Sequence, residues 1–157
     1  MNPIPQKPSQ RIHGRLLVTL QFSLLLVLIL ITAPWAALQV GRVSVVIVMG
    51  CAVAVGTASL VANRPGNFNI RPEPKFNGRL IEQGVYGHVR HPMYTAVMLF
   101  GLACVLSQPS VNAGLAAGLL TLVLWLKARA EERALQTRYP TYAAYMRRTT
   151  RFIPRIL

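Results

Sequence analysis

Hydrophobic positions along the chain fall into four uncharged runs that are separated by polar segments. The runs cover residues 16–31, with an apolar continuation to residue 40, and then residues 43–61, 93–108 and 111–126. A helix that crosses a bilayer needs about 20 apolar residues, and fewer where protein buries its ends. The pattern therefore predicts an all-α fold, an integral membrane helical bundle with about four transmembrane helices and a cytosolic C-terminal helical extension.

The first and the last two runs each carry an additional signal. Lys7, Arg11 and Arg15 precede the first run, as they would in a signal peptide. The run is longer than the roughly 7–15 apolar residues of a signal peptide, so we predict an uncleaved span. Residues 107–110 form only a tight turn between the last two runs, which predicts an antiparallel helical hairpin over residues 93–126.

Composition supports a membrane protein and excludes several other classes. Hydrophobic residues make up 53% of the 157 residues, charged residues 13%, and the mean hydropathy is +0.42. A soluble domain carries about 25% charged residues. This apolar content excludes a disordered chain, and two cysteines within apolar runs exclude a disulfide scaffold. The net charge of +13 is compatible with nucleic-acid binding, but that function leaves the spans unexplained, so no nucleic-acid partner is expected.

The basic residues are placed on one side of the predicted spans. All but Arg42 of the 17 lysines and arginines lie before the first run, between the second and third, or after the fourth. Loop lysine and arginine mark the cytoplasmic face, so both termini are predicted to be cytoplasmic, at the inner membrane if the protein is bacterial. The single membrane domain, 1–157, then divides into a cytosolic N-terminus (1–15), two spans (16–62), a cytosolic loop (63–92), the hairpin (93–126) and a cytosolic C-terminal catalytic segment (127–157).

Small residues and prolines give two further local predictions. Gly114 and Gly118 have the spacing that lets helices approach closely, and Gly50 and Ala54 share it, so we expect all four to pack in the core. Pro and Gly residues between positions 64 and 75 predict a loop there.

The hairpin also predicts which polar residues meet. Pro92 suits the first turn of a helix, where its missing N–H costs nothing, and this makes His91 the expected cap. Equal helical rise in the two arms places residue 91 opposite residue 128 and residue 88 opposite residue 131. We therefore expect the last helix to continue past the membrane, so that Glu131 and Glu132 approach residues 86–91. Lys127 shares a face with Glu131.

The chemistry of this group suits a zwitterionic nucleoside. A carboxylate pair accepts an ammonium group or ribose hydroxyls, and a helix N-terminus suits a carboxylate. Tyrosine rings suit an adenine or a sulfonium cation. Composition thus permits S-adenosylmethionine beside a membrane-embedded acceptor, but does not single it out. No metal is expected, because His88 and His91 have no third ligand at metal spacing. One alternative of another class is a non-enzymatic membrane protein whose basic face binds anionic lipid.

Three segments of the second half resemble the isoprenylcysteine carboxyl methyltransferase family, to which phospholipid N-methyltransferases are related. Residues 84–94 read GVYGHVRHPMY and resemble its G-x-Y-x-x-x-R-H-P-x-Y stretch. Residues 131–135 resemble its E-E-x-x-L element, and residues 139–145 with 151–154 resemble its aromatic-rich tail. The first two runs match only as hydrophobic helices. Ala96 stands where the family usually has glycine, and Lys127 stands where eukaryotic members have arginine.

The resemblance implies a prokaryotic-type, multi-pass membrane enzyme that uses S-adenosylmethionine as its cofactor. Its partners would be membrane lipids and a lipophilic small-molecule or lipidated acceptor, most simply a carboxylate such as an isoprenylcysteine-like group, with a phospholipid amine as the alternative. Arg90 and His91 would be catalytic, and Lys127 and Arg129 would bind the acceptor. The cofactor residues carried over by position are Leu80, Ile81, Tyr86, His91, Pro92, Met93, Tyr94 and Glu131, with Glu132 as an additional candidate.

Overall fold

The computed structural model describes residues 8–36, 43–67 and 79–154, and it describes the side chains of residues 12–32, 43–63 and 79–154. Helices dominate these described ranges, which confirms the all-α prediction. A single 3-10 helical turn, Gly84–Gly87, precedes the third α-helix. The α-helices are α1 (Pro8–Ala36), α2 (Val43–Asn67), α3 (Pro92–Ser107), α4 (Val111–Arg138) and α5 (Tyr142–Arg148).

Three of these helices are long and apolar enough to cross a membrane. The candidate spans are Ile12–Thr32, Val43–Asn63 and Val111–Arg138. The apolar helix α3 has 16 residues, which corresponds to about 24 Å of helix against a hydrocarbon core of about 30 Å. It packs against α1, α2 and α4. The helical membrane bundle is thus confirmed, with three long helices and one short helix among them.

The core joins α1, α3 and α4 through small and branched side chains. Leu28 of α1 packs with Cys104 of α3 and with Leu120 and Leu124 of α4, and all four are buried. Large apolar side chains also cover the outside of the bundle. Water would not tolerate so much exposed apolar surface, whereas lipid does. Examples on three helices are Leu26, Val46, Leu60, Leu115 and Leu122.

The expectation that the small residues pack in the core is wrong for both pairs. A Cβ atom added at Gly50, Gly114 or Gly118 would meet no described atom within 4 Å, and Ala54 is exposed. Gly114 and Gly118 face outward because α4 is rotated about its axis so that another face points into the bundle. The residues on that face are Ala113, Ala116, Leu120, Val123 and Leu124.

The ends of the helices follow the predicted hairpin closely. Helix α3 ends at Ser107 and α4 begins at Val111. The Ser110 hydroxyl caps α4 by accepting a hydrogen bond from the backbone N–H of Ala113 at 3.2 Å. Helix α4 then continues without a break to Arg138, as its predicted extension requires.

The predicted loop between the second and third runs begins later than expected. Helix α2 continues through Pro65 and ends only two residues later, at Asn67, although a proline removes one helical hydrogen bond and is disfavoured in a helix interior. The rest of the predicted loop, residues 68–75, lies outside the described residues, as do Lys7, Arg42 and Arg155. The side of the membrane on which each terminus lies stays a prediction.

Candidate active site

The start of α3 is held in place by a segment from the far end of the chain. Residues 149–152 run parallel to residues 88–91, with a bridge between Val89 and Thr150. The backbone N–H of Arg90 donates to the Thr150 carbonyl at 2.9 Å, and the N–H of His91 donates to the Arg151 carbonyl at 3.0 Å. His91 precedes the first helical residue, and Pro92 occupies the first position. The pairing therefore fixes the backbone of the predicted cap.

Glu132 is the centre of a buried charge cluster. Its carboxylate accepts hydrogen bonds from Arg90 Nε at 2.8 Å and from Arg151 Nη2 at 2.7 Å. Its side chain is only 4% exposed. His91 Nε2 lies 3.3 Å from Glu132 Oε1 but outside hydrogen-bond geometry. Two guanidinium groups therefore neutralise this carboxylate and occupy its lone pairs.

The Arg90 side chain donates hydrogen bonds to other groups of the protein. Besides Glu132, its Nη1 donates to the Met146 carbonyl at 3.3 Å and to the Thr149 carbonyl. The Arg90 side chain is 8% exposed. This geometry supports a role in holding the segment 149–152 against α4, and a direct catalytic role for Arg90 stays a prediction.

Glu131, in contrast, keeps an accessible carboxylate. The Tyr94 hydroxyl donates to Glu131 Oε2 at 2.9 Å, and His91 Nδ1 lies 3.6 Å from the same oxygen. The Glu131 side chain is 29% exposed. No arginine pairs with it among the described residues, so its negative charge is available to a cationic ligand group.

Aromatic rings form one wall of this group. The His91 and Tyr94 rings are stacked, with centroids 5.2 Å apart and planes 3° from parallel. Phe152, from the segment 149–152, lies with its ring centroid 6.0 Å from that of His91. The Phe152 carbonyl also accepts a hydrogen bond from the Thr95 hydroxyl at 2.8 Å. The tail therefore packs on the histidine as well as pairing with its backbone.

Tyr86 reaches the same group from the 3-10 turn. Its carbonyl accepts a hydrogen bond from the Tyr145 hydroxyl at 2.7 Å, which ties the turn to α5. Burial, and then the negative charge of Glu131, raise the pKa of Tyr86 to about 12, against a hydrogen bond from the Asn63 side chain that lowers it. The Tyr86 hydroxyl is therefore neutral and protonated at physiological pH.

The two predicted acceptor-binding cations lie in different surroundings. Lys127 is buried, and its Nζ donates to Gln21 Oε1 at 2.6 Å and lies 5.1 Å from the centroid of the Tyr94 ring. Arg129 is exposed and stacks on Trp125, with its Cζ 4.6 Å from the indole ring. Lys127 therefore belongs to the same group as Tyr94, and Arg129 does not share that position.

The predicted residues thus converge to different degrees. Tyr86, His91, Tyr94 and Glu131 form one cluster, with Lys127 about one helical turn further into the bundle. His88 is exposed, and residue 91 meets residues 131 and 132 rather than residue 128. The remaining candidates flank the cluster in sequence. Leu80, Ile81 and Met93 are half-buried and Pro92 is buried.

Sequence reasoning missed four partners of this cluster. Arg151 and Phe152 belong to the tail that resembled the family, but they had received no role. Gln21 is the one glutamine within residues 16–31. This was a signal in itself, since polar residues within membrane spans are usually functional. Asn63, which hydrogen-bonds to Tyr86, had no local signal. Within residues 8–36, 43–67 and 79–154, no three His, Cys, Asp or Glu side chains are grouped as a metal site requires.

Comparison with known proteins assigns the chain to a family. The family model described as phospholipid methyltransferase matches residues 43–142, more than half of the chain. A curated relative, the cobalt-zinc-cadmium resistance protein CzcN of Cupriavidus metallidurans, is 37% identical over 84 residues, which cover 51% of this chain and 38% of that protein. The chain thus spans well under half of that relative's length, and no solved structure matches.

The family match covers α2, the 3-10 turn, α3, α4 and the first residue of α5, and therefore most of the cluster around Glu131. It confirms the resemblance to the isoprenylcysteine carboxyl methyltransferase-like membrane enzymes. It also favours the enzymatic hypothesis over a non-enzymatic lipid-binding protein. The chain belongs to the phospholipid methyltransferase family.

Proposed function

We propose that this chain transfers the methyl group of S-adenosylmethionine to a lipophilic acceptor that reaches the site through the membrane. The observation that carries the proposal is the accessible Glu131 carboxylate beside Tyr94 and His91 at the N-terminus of α3. Its neighbour Glu132 is already neutralised by Arg90 and Arg151. Glu131 is thus the carboxylate of this pair that has negative charge left for a ligand.

The donors and acceptors of the cluster fit this cofactor. Glu131 would hold the ammonium group or the ribose hydroxyls, and the N-terminus of α3 would favour the ligand's carboxylate. Tyr86 would provide an aromatic face for the adenine or for the positive sulfur. When bound, the cofactor supplies an electrophilic methyl group. The protein's part would be to align the two reactants and to exclude water.

The acceptor is most simply a carboxylate, with a phospholipid amine as the alternative. The buried cation of Lys127 favours a ligand that carries a negative group, and both acceptors do, as a carboxylate or as a headgroup phosphate. Methylation of a carboxylate releases no proton, whereas methylation of an amine requires that nitrogen to lose one. His91, between Glu131 and Glu132, would be the group placed to receive that proton.

The role of Glu131 is tested with the variant Glu131→Gln, which keeps the size of the side chain and removes its charge. Cofactor affinity should fall by roughly tenfold or more, the effect of losing a hydrogen bond between charged groups. Titration calorimetry on the detergent-solubilised protein measures it. The matched control is Glu82→Gln, the same change in the Arg148–Glu82 pair, a pair outside the cluster whose arginine side chain is 60% exposed. Unchanged affinity in Glu131→Gln, or an equal loss in the control, would reject the role.

The acceptor is identified by incubating membranes with methyl-labelled S-adenosylmethionine and separating the lipids. A carboxyl methyl ester releases its label as methanol in base, whereas an N-methyl group keeps it. A labelled lipid that is base-labile supports the carboxylate, and a stable label supports the amine. If no lipid fraction gains label, the proposed function is wrong.

A further inference from the structure

Gln21 and Lys127 form a polar pair inside the apolar part of the bundle. Their side chains meet at 2.6 Å between Oε1 and Nζ, and the residues are 7% and 1% exposed. Gln21 lies in the candidate span Ile12–Thr32 and Lys127 in the candidate span Val111–Arg138. A lysine buried within a span is costly and indicates function rather than packing. Well-packed apolar residues would join the two helices at no such cost.

Lys127 also lies against the cluster around Glu131. Its Nζ faces the ring of Tyr94, 5.1 Å from the centroid, while the hydroxyl of the same ring binds Glu131 at 2.9 Å. Tyr94 therefore separates a cation from a carboxylate. A cation over the face of this ring and a carboxylate at its hydroxyl would favour ligand groups of opposite sign. The proposed cofactor's ammonium would then belong with Glu131, and an anion with Lys127.

The chemical identity of the partner on α1 decides whether that cation is available. An ammonium group has three N–H donors, and the Gln21 oxygen takes one of them. Because an amide oxygen is neutral, it orients the ammonium without cancelling its charge. A glutamate at the same position would form an ion pair and leave little positive charge for a ligand.

We propose that Gln21 is a positioning residue that holds Lys127 as the receptor for the anionic headgroup of the lipid acceptor, so that α1 takes part in selecting the acceptor. The inference rests on the proposed function, which it deepens. Helix α1 ends at Ala36 and so lies outside the matched residues 43–142. Acceptor selection would therefore depend on a helix that the family match does not include.

Paired lipids that differ only in charge test this proposal by binding. One arm compares N-acetyl-S-farnesylcysteine with its methyl ester, and the other compares dioleoylphosphatidic acid with dioleoylglycerol. Native mass spectrometry of the detergent-solubilised full chain gives the ratio of affinities within each pair. The parent chain should prefer the charged member of at least one pair by roughly tenfold or more, as a charge-assisted hydrogen bond implies. The arm that shows the preference identifies a carboxylate or a phosphate.

Substitution then assigns that preference to the pair. Gln21→Glu should abolish it and should leave cofactor affinity unchanged, whereas Gln136→Glu, the same change at an exposed position of α4, should keep it. Gln21→Leu, which keeps the helix apolar, should weaken the preference because Lys127 loses its tether. Equal affinity for both members of both pairs in the parent chain, or an intact preference in Gln21→Glu, would overturn the proposal.

Methyl transfer on the same samples separates this inference from the proposed function. With an acceptor that is turned over, Gln21→Glu should raise KM far more than it lowers kcat, which a merely misfolded bundle would not do. If the charge preference depends on Gln21 but no methyl group is transferred, the anion site stands and the proposed function fails. If transfer proceeds equally well in Gln21→Glu, the proposed function stands and this inference fails.

Discussion

Glu132→Gln should destabilise the protein far more than an ordinary loss of surface charge. The substitution keeps the shape of the side chain and removes the charge that Arg90 and Arg151 share. The side chains of Glu132 and Arg90 are 4% and 8% exposed, and that of Arg151 is 26% exposed. Two guanidinium groups would thus be left facing a neutral amide in a poorly hydrated place.

The expected cost follows from that burial. Removing one partner of a buried ion pair costs about 3–5 kcal/mol, because a desolvated charge is left uncompensated. The amide oxygen of glutamine still accepts one hydrogen bond, so we expect the lower end, about 3 kcal/mol. At about 2–4 °C per kcal/mol for a chain of this size, the melting temperature should fall by about 6–12 °C.

Thermal unfolding in detergent is followed with a thiol-reactive fluorophore, with the exposed Cys51 replaced by serine in every variant. Cys104 is buried in the core and becomes reactive on unfolding. Glu82→Gln is the matched control, since its partner Arg148 has a side chain that is 60% exposed and exposed pairs are worth about 0–1 kcal/mol. If Glu132→Gln melts no lower than Glu82→Gln, the cluster does not hold the site together and the reasoning is refuted.

Three further predictions concern a glycine of α3, a glycine of the 3-10 turn and alkaline pH. Gly101→Ala should raise the melting temperature, because the added Cβ would meet Leu28 Cδ2 at an ordinary 3.6 Å and alanine is more stable than glycine in a helix by about 0.5–1 kcal/mol. Gly84→Ala should lower the melting temperature, because alanine at a φ of +60° costs about 1–2 kcal/mol of stability. Melting shifts of the reverse signs would contradict both. Folding raises the pKa of Tyr86 from 10.0 to about 12, so between these pH values the folded chain keeps a proton that the unfolded chain releases. The contribution of Tyr86 to stability is therefore fully present below about pH 10 and is lost as the pH rises from about 10 to 12. Tyr86→Phe should therefore lose stability less steeply than the parent chain over that range, followed by circular dichroism, and parallel pH profiles would refute the assignment.

The sequence predicts the features of this fold that depend on neighbouring residues. Uncharged runs locate the helices, Pro92 and Ser110 mark where two of them begin, and the short turn between α3 and α4 requires them to run antiparallel. The predicted register is off by about a turn for a geometric reason. Side chains on a helix lean toward its N-terminus, so in an antiparallel pair Tyr94 and Glu131 lean toward one another from beyond the straight-across positions.

Contacts between distant segments were outside the reach of such reasoning. Gln21 and Lys127 are 106 residues apart, and nothing in either run indicates the other as partner. The motif predicts that Arg90 is catalytic. In the structure, Arg90 donates hydrogen bonds to Glu132 and to carbonyls of the distant segment that includes Thr149, and nothing in the motif indicates these partners. The small residues Gly114 and Gly118 have the right spacing for close packing, but spacing does not determine which face of a helix turns inward.

The pairing of residues 149–152 with residues 88–91 has a consequence for biosynthesis. Those late residues are translated after every element they contact, including α3 and α4, so the membrane helices can insert while His91 and Glu132 still lack their final neighbours. A nascent chain that is fully inserted would remain unable to bind its ligands until that stretch leaves the ribosome. Assembly in the bilayer and acquisition of activity would then be two separate events in the life of this protein.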